Sequence, residues 1–282
     1  MFFDTTIDAD VGYATSAFHW SIGSDSGPEI VSELQWKKLR GPLLRVQLRT
    51  EWEELLFAFF EAEGMRASSG YVTDSDFEGE NRTFMTDRAV CNAAGSLEGS
   101  LRLGLGGSLY FCYRTLKVEA SCGYRIAAQH LKMFDGELIV SHDFDLGPIV
   151  GLNSSYNALW RGFEADVSVT KREGPCSAFI NLNFFAPYYT AEGHWNLRSD
   201  FIDPFRQKTN DAFGITLRVG LLYFFNCWSA GITYQCQHFT AYHGYDMWEA
   251  IDGFGNTYSG MGRLNEVVMT TSSYTAHVGF VF

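Results

Sequence analysis

Hydropathy along this chain alternates with period two, in runs longer than most soluble strands. Ile7, Ala9, Val11 and Tyr13 oppose Asp8, Asp10 and Gly12. Leu97, Gly99, Leu101, Leu103 and Leu105 oppose Glu98, Ser100, Arg102 and Gly104. Leu116, Val118, Ala120, Cys122, Tyr124 and Ile126 oppose Lys117, Glu119, Ser121, Gly123 and Arg125. Similar runs cover 213–223 and 230–237. Successive side chains of a strand point to opposite faces, so each run has one apolar face and one polar or glycine face. Runs of ~10 residues with that code suit a membrane barrel, lipid outside and water inside. A large soluble barrel with an apolar interior alternates in the same way.

Composition narrows the choice. The longest apolar stretch, 219–225, falls far short of the ~18 residues of a spanning helix. Without such helices only a closed barrel crosses lipid, because every backbone polar group must be paired there. Glycine and aromatic residues are abundant and proline is scarce, which fits twisted strands with aromatic girdles. The net charge of −12 argues against nucleic acid, whose phosphates would repel it. It would suit a basic peptide or a cation.

The six cysteines show no Cys-x-x-Cys spacing, so no zinc or other metal centre is expected. Cys112 and Cys122 flank an expected hairpin turn and are the first candidates for a disulfide in an oxidising envelope. The other reading is that they are small apolar residues facing lipid. Met1-Phe2-Phe3 leads straight to Asp4, with no charged start or apolar core of a secretory signal. A mature chain, a start further upstream or a non-membrane barrel would each explain this.

The terminal stretch Tyr274-Thr275-Ala276-His277-Val278-Gly279-Phe280-Val281-Phe282 alternates to its last residue. An open aromatic edge invites aggregation in a soluble protein. The ending resembles the C-terminal signal by which bacterial outer-membrane barrels are recognised for insertion. The expected fold is therefore all-β: one closed antiparallel transmembrane β-barrel of about ten strands, a single domain over 1–282, integral to the bacterial outer membrane. The strands are placed near 5–22, 30–50, 55–73, 89–112, 116–134, 147–169, 176–193, 211–225, 229–242 and 265–282. Connections at 51–54, 113–115, 171–175 and 226–228 would be periplasmic turns. Those near 23–29, 74–88, 135–146, 194–210 and 243–264 would be outer loops.

One acidic pair sits where the third strand should emerge. Asp74 and Asp76, at i and i+2, point the same way on a strand. Such a pair can orient a nucleophilic water, share a proton or hold a cation. Gly70-Tyr71-Val72-Thr73-Asp74-Ser75-Asp76-Phe77 resembles the Gly-x-Met-Val-Asp-x-Asp-Trp motif of the omptins, ten-stranded outer-membrane endopeptidases of Gram-negative bacteria. Ser32-Glu33-Leu34-Gln35-Trp36-Lys37 is similar to that family's Ser-Gln-Leu-Asp-Trp-Lys. Ile7-Asp8-Ala9-Asp10-Val11, the stretch from Gly147 to Tyr156, and Asp203-Pro204 also resemble omptin segments, in the same order.

The resemblance implies a surface endopeptidase in which a water between an aspartate and a histidine attacks the peptide. Asp74 and Asp76 carry over directly. The family's Asp-x-His does not, because Ser199 and Phe201 stand at those positions. Asp200 and His194 are the nearest substitutes, and they require a rearranged loop. Phe18-His19-Trp20 lies where an acid selecting basic substrates is expected. Losing a positioned base typically costs ~10²–10⁴-fold in rate, so the resemblance implies weak, altered or absent peptidase activity. It also implies an activating lipopolysaccharide, with Arg161 beside Trp160 in one matching region, and no other cofactor. Expected partners are outer-membrane lipid and a peptide or protein substrate, for a monomeric barrel. The alternative is a non-enzymatic barrel: a pore, an adhesin or a structural protein. A pore would line its water with Glu61, Glu63, Glu98, Arg102, Glu119, Arg125 and Arg218, although paired charges in so narrow a barrel tend to plug it.

Overall fold

The alternating runs pair into one closed antiparallel sheet in the computed structural model, which describes residues 3–24, 27–199, 201–252 and 254–282. Thirteen strand segments appear: β1 (Phe3–Gly23), β2 (Ser32–Trp52), β3 (Leu56–Arg66), β4 (Ser69–Phe77), β5 (Met85–Asn92), β6 (Leu97–Phe111), β7 (Leu116–Ser141), β8 (Gly147–Glu173), β9 (Cys176–His194), β10 (Phe201–Thr209), β11 (Asp211–Phe225), β12 (Trp228–Ile251) and β13 (Thr257–Val281). β3 continues into β4, β5 into β6 and β10 into β11, so the segments make a ring of ten spanning strands. β13 pairs with β1 and closes the ring: Asp10 lies opposite His277 on one side and Arg45 on the other. Closure leaves no open edge, which answers the hazard of an aromatic terminal strand. Among the described residues no helix is long and apolar enough to cross a membrane.

The outer wall carries the lipid face. Leu44, Val46 and Leu48 on β2, Leu101, Leu103 and Leu105 on β6, and Leu217 and Leu221 on β11 are all exposed. An aromatic girdle marks the lower edge, with Trp228 and Phe280 4.7 Å apart beside Tyr223 and Phe225. Lys38, Arg40 and Arg66, exposed above Leu44, mark the upper edge. Strand residues beyond them stand outside the membrane.

The lumen is filled in layers. Near the periplasmic end Arg49 and Lys117 share Glu51 and Glu119. Above them Arg45 holds Asp10 at 2.8 Å, Gln235 at 2.7 Å and Glu63. Arg102 binds Glu61 at 3.1 Å, Glu164 at 2.7 Å and Asp166 at 2.8 Å, and Arg218 reaches Glu61 at 2.9 Å. Glu61, Glu63, Arg102, Glu119 and Arg218 are inward charges read from the sequence; the register adds Arg45, Arg49, Glu164 and Asp166, while Glu98 keeps one buried oxygen and Arg125 its Nε without a hydrogen-bond partner. Phe57 and Phe59 fit over Gly106 and Gly104, where a Cβ would lie 2.3 and 2.6 Å from a ring carbon. This explains the glycine face of β6.

An aromatic plug caps the ion layer. Phe18, Trp36 and Tyr156 pack with centroids 5.5 to 5.9 Å apart, and Trp160 lies 4.5 Å from Tyr189. Tyr156 donates to Gln207 at 2.5 Å and shares a 2.6 Å hydrogen bond with Tyr189, and Gln207 donates to buried Asp246 at 3.0 Å.

Two expectations change. The outer loops are shorter than the sequence suggests: β7 runs to Ser141, β12 to Ile251, β13 starts at Thr257, and 201–209 is strand. Above the membrane neither face meets lipid, so paired strands there lose the alternation that marks them lower down. Cys112 and Cys122 are not bonded, and all six cysteines are free. Cys112 lies in the turn, whereas Cys122 sits opposite Leu105, six residues up β7 from Leu116, or ~20 Å along the strand. Cys122 faces lipid.

Candidate functional site

The mouth is built where β4 and β5 rise above the upper edge. β4 pairs with the segment of β2 beyond Lys38, and register sets Leu34 opposite Asp74 and Ser32 opposite Asp76. On the other side Asp74 faces Ala89 and Asp76 faces Asp87. Val72 shares the parity of Asp74 and Asp76 and is fully buried against the plug, so this is the inward face. Three carboxylates therefore converge just above the aromatic layer. Asp87 has one carboxylate oxygen buried with no hydrogen-bond partner.

Crowding shifts these groups. Burial, with the adjacent Asp76 carboxylate, pushes Asp74 up to about 8, against the pull of the Arg198 guanidinium. Burial also raises Asp76; the Ser32 hydroxyl donates to it and opposes the rise, Asp87 adds to it, and Arg198 opposes it. Each carboxylate makes its neighbour harder to ionise, so Asp74 is held protonated at neutrality beside Asp76. Beneath them burial pushes the Cys91 thiol up to about 12, with Asp74 adding to the rise, so Cys91 is no nucleophile. Among the described residues no set of His, Cys, Asp and Glu side chains is arranged to hold a metal ion.

The remaining sequence candidates lie elsewhere. His194 ends β9 on the parity opposite to buried Ala191 and Gly193. Its Nδ1 bonds Asp203 Oδ2 at 2.7 Å, and both side chains are substantially exposed. Among the described residues the charged groups that shift Asp74 and Asp76, besides each other, are Asp87 and Arg198, and no histidine is among them. Asp200 lies outside the described residues. Phe201, at the omptin histidine position, packs on Trp248 at 5.6 Å and under Arg198 at 4.3 Å. Phe18 and Trp20 are buried in the plug, while His19 lies 3.4 Å from Glu266. Arg161 is exposed on the outer wall, its guanidinium 5.5 Å from the Tyr188 ring. Asp87, Ser32 and Arg198 escaped the sequence reading. Asp87, Ala89 and Cys91 alternate in a way that could have extended the strand to include the first of them.

Comparison with known proteins fits this architecture. The model of the Protochlamydia outer membrane protein family, Pom, matches residues 8–282. The chain belongs to the Pom family. This Pom barrel is integral to the outer membrane. Its fold is similar to that of the outer membrane protease OmpT from Escherichia coli, with a TM-score of 0.86 and 12% identity over 100% of this chain and 99% of that one. At that identity the likeness concerns the fold. The translocator domain of the autotransporter NalP from Neisseria meningitidis gives a TM-score of 0.39 and 12% identity, covering 97% of the Pom chain and 88% of its own. OprG from Pseudomonas aeruginosa gives 0.39 and 8%, covering 98% and 95%. No curated protein matches in sequence.

Proposed function

We propose that the protein is a surface endopeptidase that works at its mouth, where Asp74 and Asp76 share one proton over a hydrolytic water. The observation that supports this reading is the pairing itself: Asp74 keeps its proton up to about 8 beside a second carboxylate. One ionised and one protonated acid supply a base and an acid without an imidazole. Asp76 takes a proton from the water as it attacks the peptide carbonyl, and Asp74 gives its proton to the carbonyl oxygen; Asp76 then passes its proton to the amine nitrogen as the C–N bond breaks, and the diol hydroxyl returns a proton to Asp74. The acidic mouth favours a substrate with basic side chains. In the alternative division of labour His194 is the base, oriented by Asp200 or by Asp203. Lipopolysaccharide belongs in the assay because Arg161 and Tyr188 offer its phosphates a cation on the outer wall.

The test is cleavage of a mixed peptide library by refolded protein with lipopolysaccharide. The acid-pair reading expects Asp76→Asn to lose ~10²–10⁴-fold in rate and His194→Ala to keep it. Loss in both variants moves the base to His194. No cleavage by folded wild type rejects the peptidase.

A narrow pore is the second reading, and one observation favours it. The periplasmic half of the lumen holds a cavity of about 200 Å³ lined by Asp8, Arg49, Glu119, Arg218 and their neighbours. The ion layer and aromatic plug stand between that cavity and the mouth, and planar-bilayer conductance measures whether they leak.

A further inference from the structure

Far below the mouth, β1, β12 and β13 meet where the barrel closes and bring a serine, a histidine and two aspartates together in the lumen. His277 Nδ1 bonds Asp10 Oδ1 at 2.8 Å, and Arg45 holds the other oxygen of that carboxylate at 2.8 Å. On the far side of the ring, Nε2 lies 3.3 Å from Ser229 Oγ and 3.5 Å from Asp8 Oδ1. Gly279 stands between Asp8 and Ser229 in the register, and a Cβ there would collide with Asp8 Oδ1 and Ser229 Oγ. The absent side chain makes room for the serine to approach the imidazole.

A serine hydroxyl is a weak nucleophile until a base takes its proton. Donation of the Nδ1 proton to Asp10 fixes the tautomer whose Nε2 lone pair faces Ser229, the division of labour of Ser-His-Asp hydrolases. Asp8, beside Nε2, favours the imidazolium that forms when the proton arrives. Asp8, Asp10 and His277 line the lumenal cavity of about 200 Å³. The Asp8 side chain is 22% exposed, so solvent reaches this layer. The plug closes the path from above, which leaves the periplasmic end as the entrance. Carboxylates and guanidiniums nearly balance along the cavity wall, and Phe57, Phe179 and Leu222 give it an apolar part. A neutral molecule with a short acyl chain suits that lining better than an ion. Gln47, opposite Asp8, and Arg49 line the same space and offer N–H donors to an oxyanion.

We propose that Ser229, His277 and Asp10 form a lumenal hydrolytic site, separate from the mouth, for small neutral carboxylic esters that enter from the periplasm. Ser229 Oγ attacks the ester carbonyl as its proton passes to His277 Nε2. The ester C–O bond then breaks, the alcohol leaves with the Nε2 proton, and the acyl group stays on Ser229. Water attacks the acyl-serine and gives a proton to Nε2. The carboxylic acid departs as Ser229 Oγ takes that proton back.

The experiment treats the full refolded barrel with diisopropyl fluorophosphate, a small neutral reagent that bonds base-activated serines. Peptide mass mapping should find the phosphoryl group on Ser229. Ser229→Ala should lose both the label and the hydrolysis of p-nitrophenyl acetate. His277→Gln and Asp10→Asn should each slow the labelling of Ser229 by ~10²–10⁴-fold while keeping the heat-dependent mobility of a folded barrel. Ser273→Ala removes a buried lumenal serine outside the cavity lining and should change neither readout. The proposal is overturned by folded wild type that leaves Ser229 unlabelled, or by labelling of Ser229 that runs as fast in either folded variant, His277→Gln or Asp10→Asn, as in wild type.

Discussion

At the scale of single residues, the mouth turns on one proton. If Asp74 supplies it, cleavage should fall as pH rises through about 8, where that carboxyl ionises. Arg198 holds the value down, so Arg198→Gln should move the alkaline limb of kcat/KM upward. A limb that stays put would remove Asp74 from the reaction. The same shift affects stability. Folded Asp74 binds its proton up to about 8 and unfolded Asp74 only to about 3.8, so the folded barrel carries the extra proton between those values. Stability present in acid is lost as pH rises through about 8. Asp74→Asn should flatten that part of the curve, read as the urea midpoint from pH 5 to 9. The aspartate pair was singled out by its i, i+2 spacing together with the omptin-like stretch Gly70–Phe77 around it. Asp87 and Arg198 were not, because one joins by cross-strand register and the other from a loop.

At the scale of elements, the ion layer and plug tie together strands far apart in sequence. Arg45 on β2 joins Asp10 on β1, Glu63 on β3 and Gln235 on β12. Arg45→Ala leaves two buried carboxylates without their cation and should cost about 3–5 kcal/mol in urea unfolding. Arg114→Ala is the contrast. Its pair with Glu54 spans 2.6 Å, but the side chains are 67% and 45% exposed, so the loss should be about 0–1 kcal/mol. Equal effects from the two variants would mean the lumen is wetter than its packing indicates. Trp36→Ala, in the plug, should cost about 3–5 kcal/mol through the cavity it leaves.

For the whole molecule, closure and filling set the observable behaviour. The closed ring should resist SDS until heated and so migrate differently before and after boiling. With ion pairs below and aromatic rings above, wild type should show no sustained ohmic conductance in a planar bilayer. A steady open channel would favour the pore reading over the sealed barrel. The fold likeness to OmpT spans the full chain, but fold does not carry chemistry, which rests on the mouth residues.

The sequence by itself determined the barrel, its ten spanning strands, its lipid face and several of the inward charges. Each follows from period-two alternation, a local property that lipid imposes residue by residue. Strand tops were hidden because lipid no longer selects their outer face. Only the tertiary structure decided which charges pair across the lumen, that an aromatic plug lies beneath the mouth, and that Asp87 and Arg198 stand near enough to Asp74 and Asp76 to shift them. Those relations depend on register and shear around a closed ring, which bring together residues that share no sequence neighbourhood.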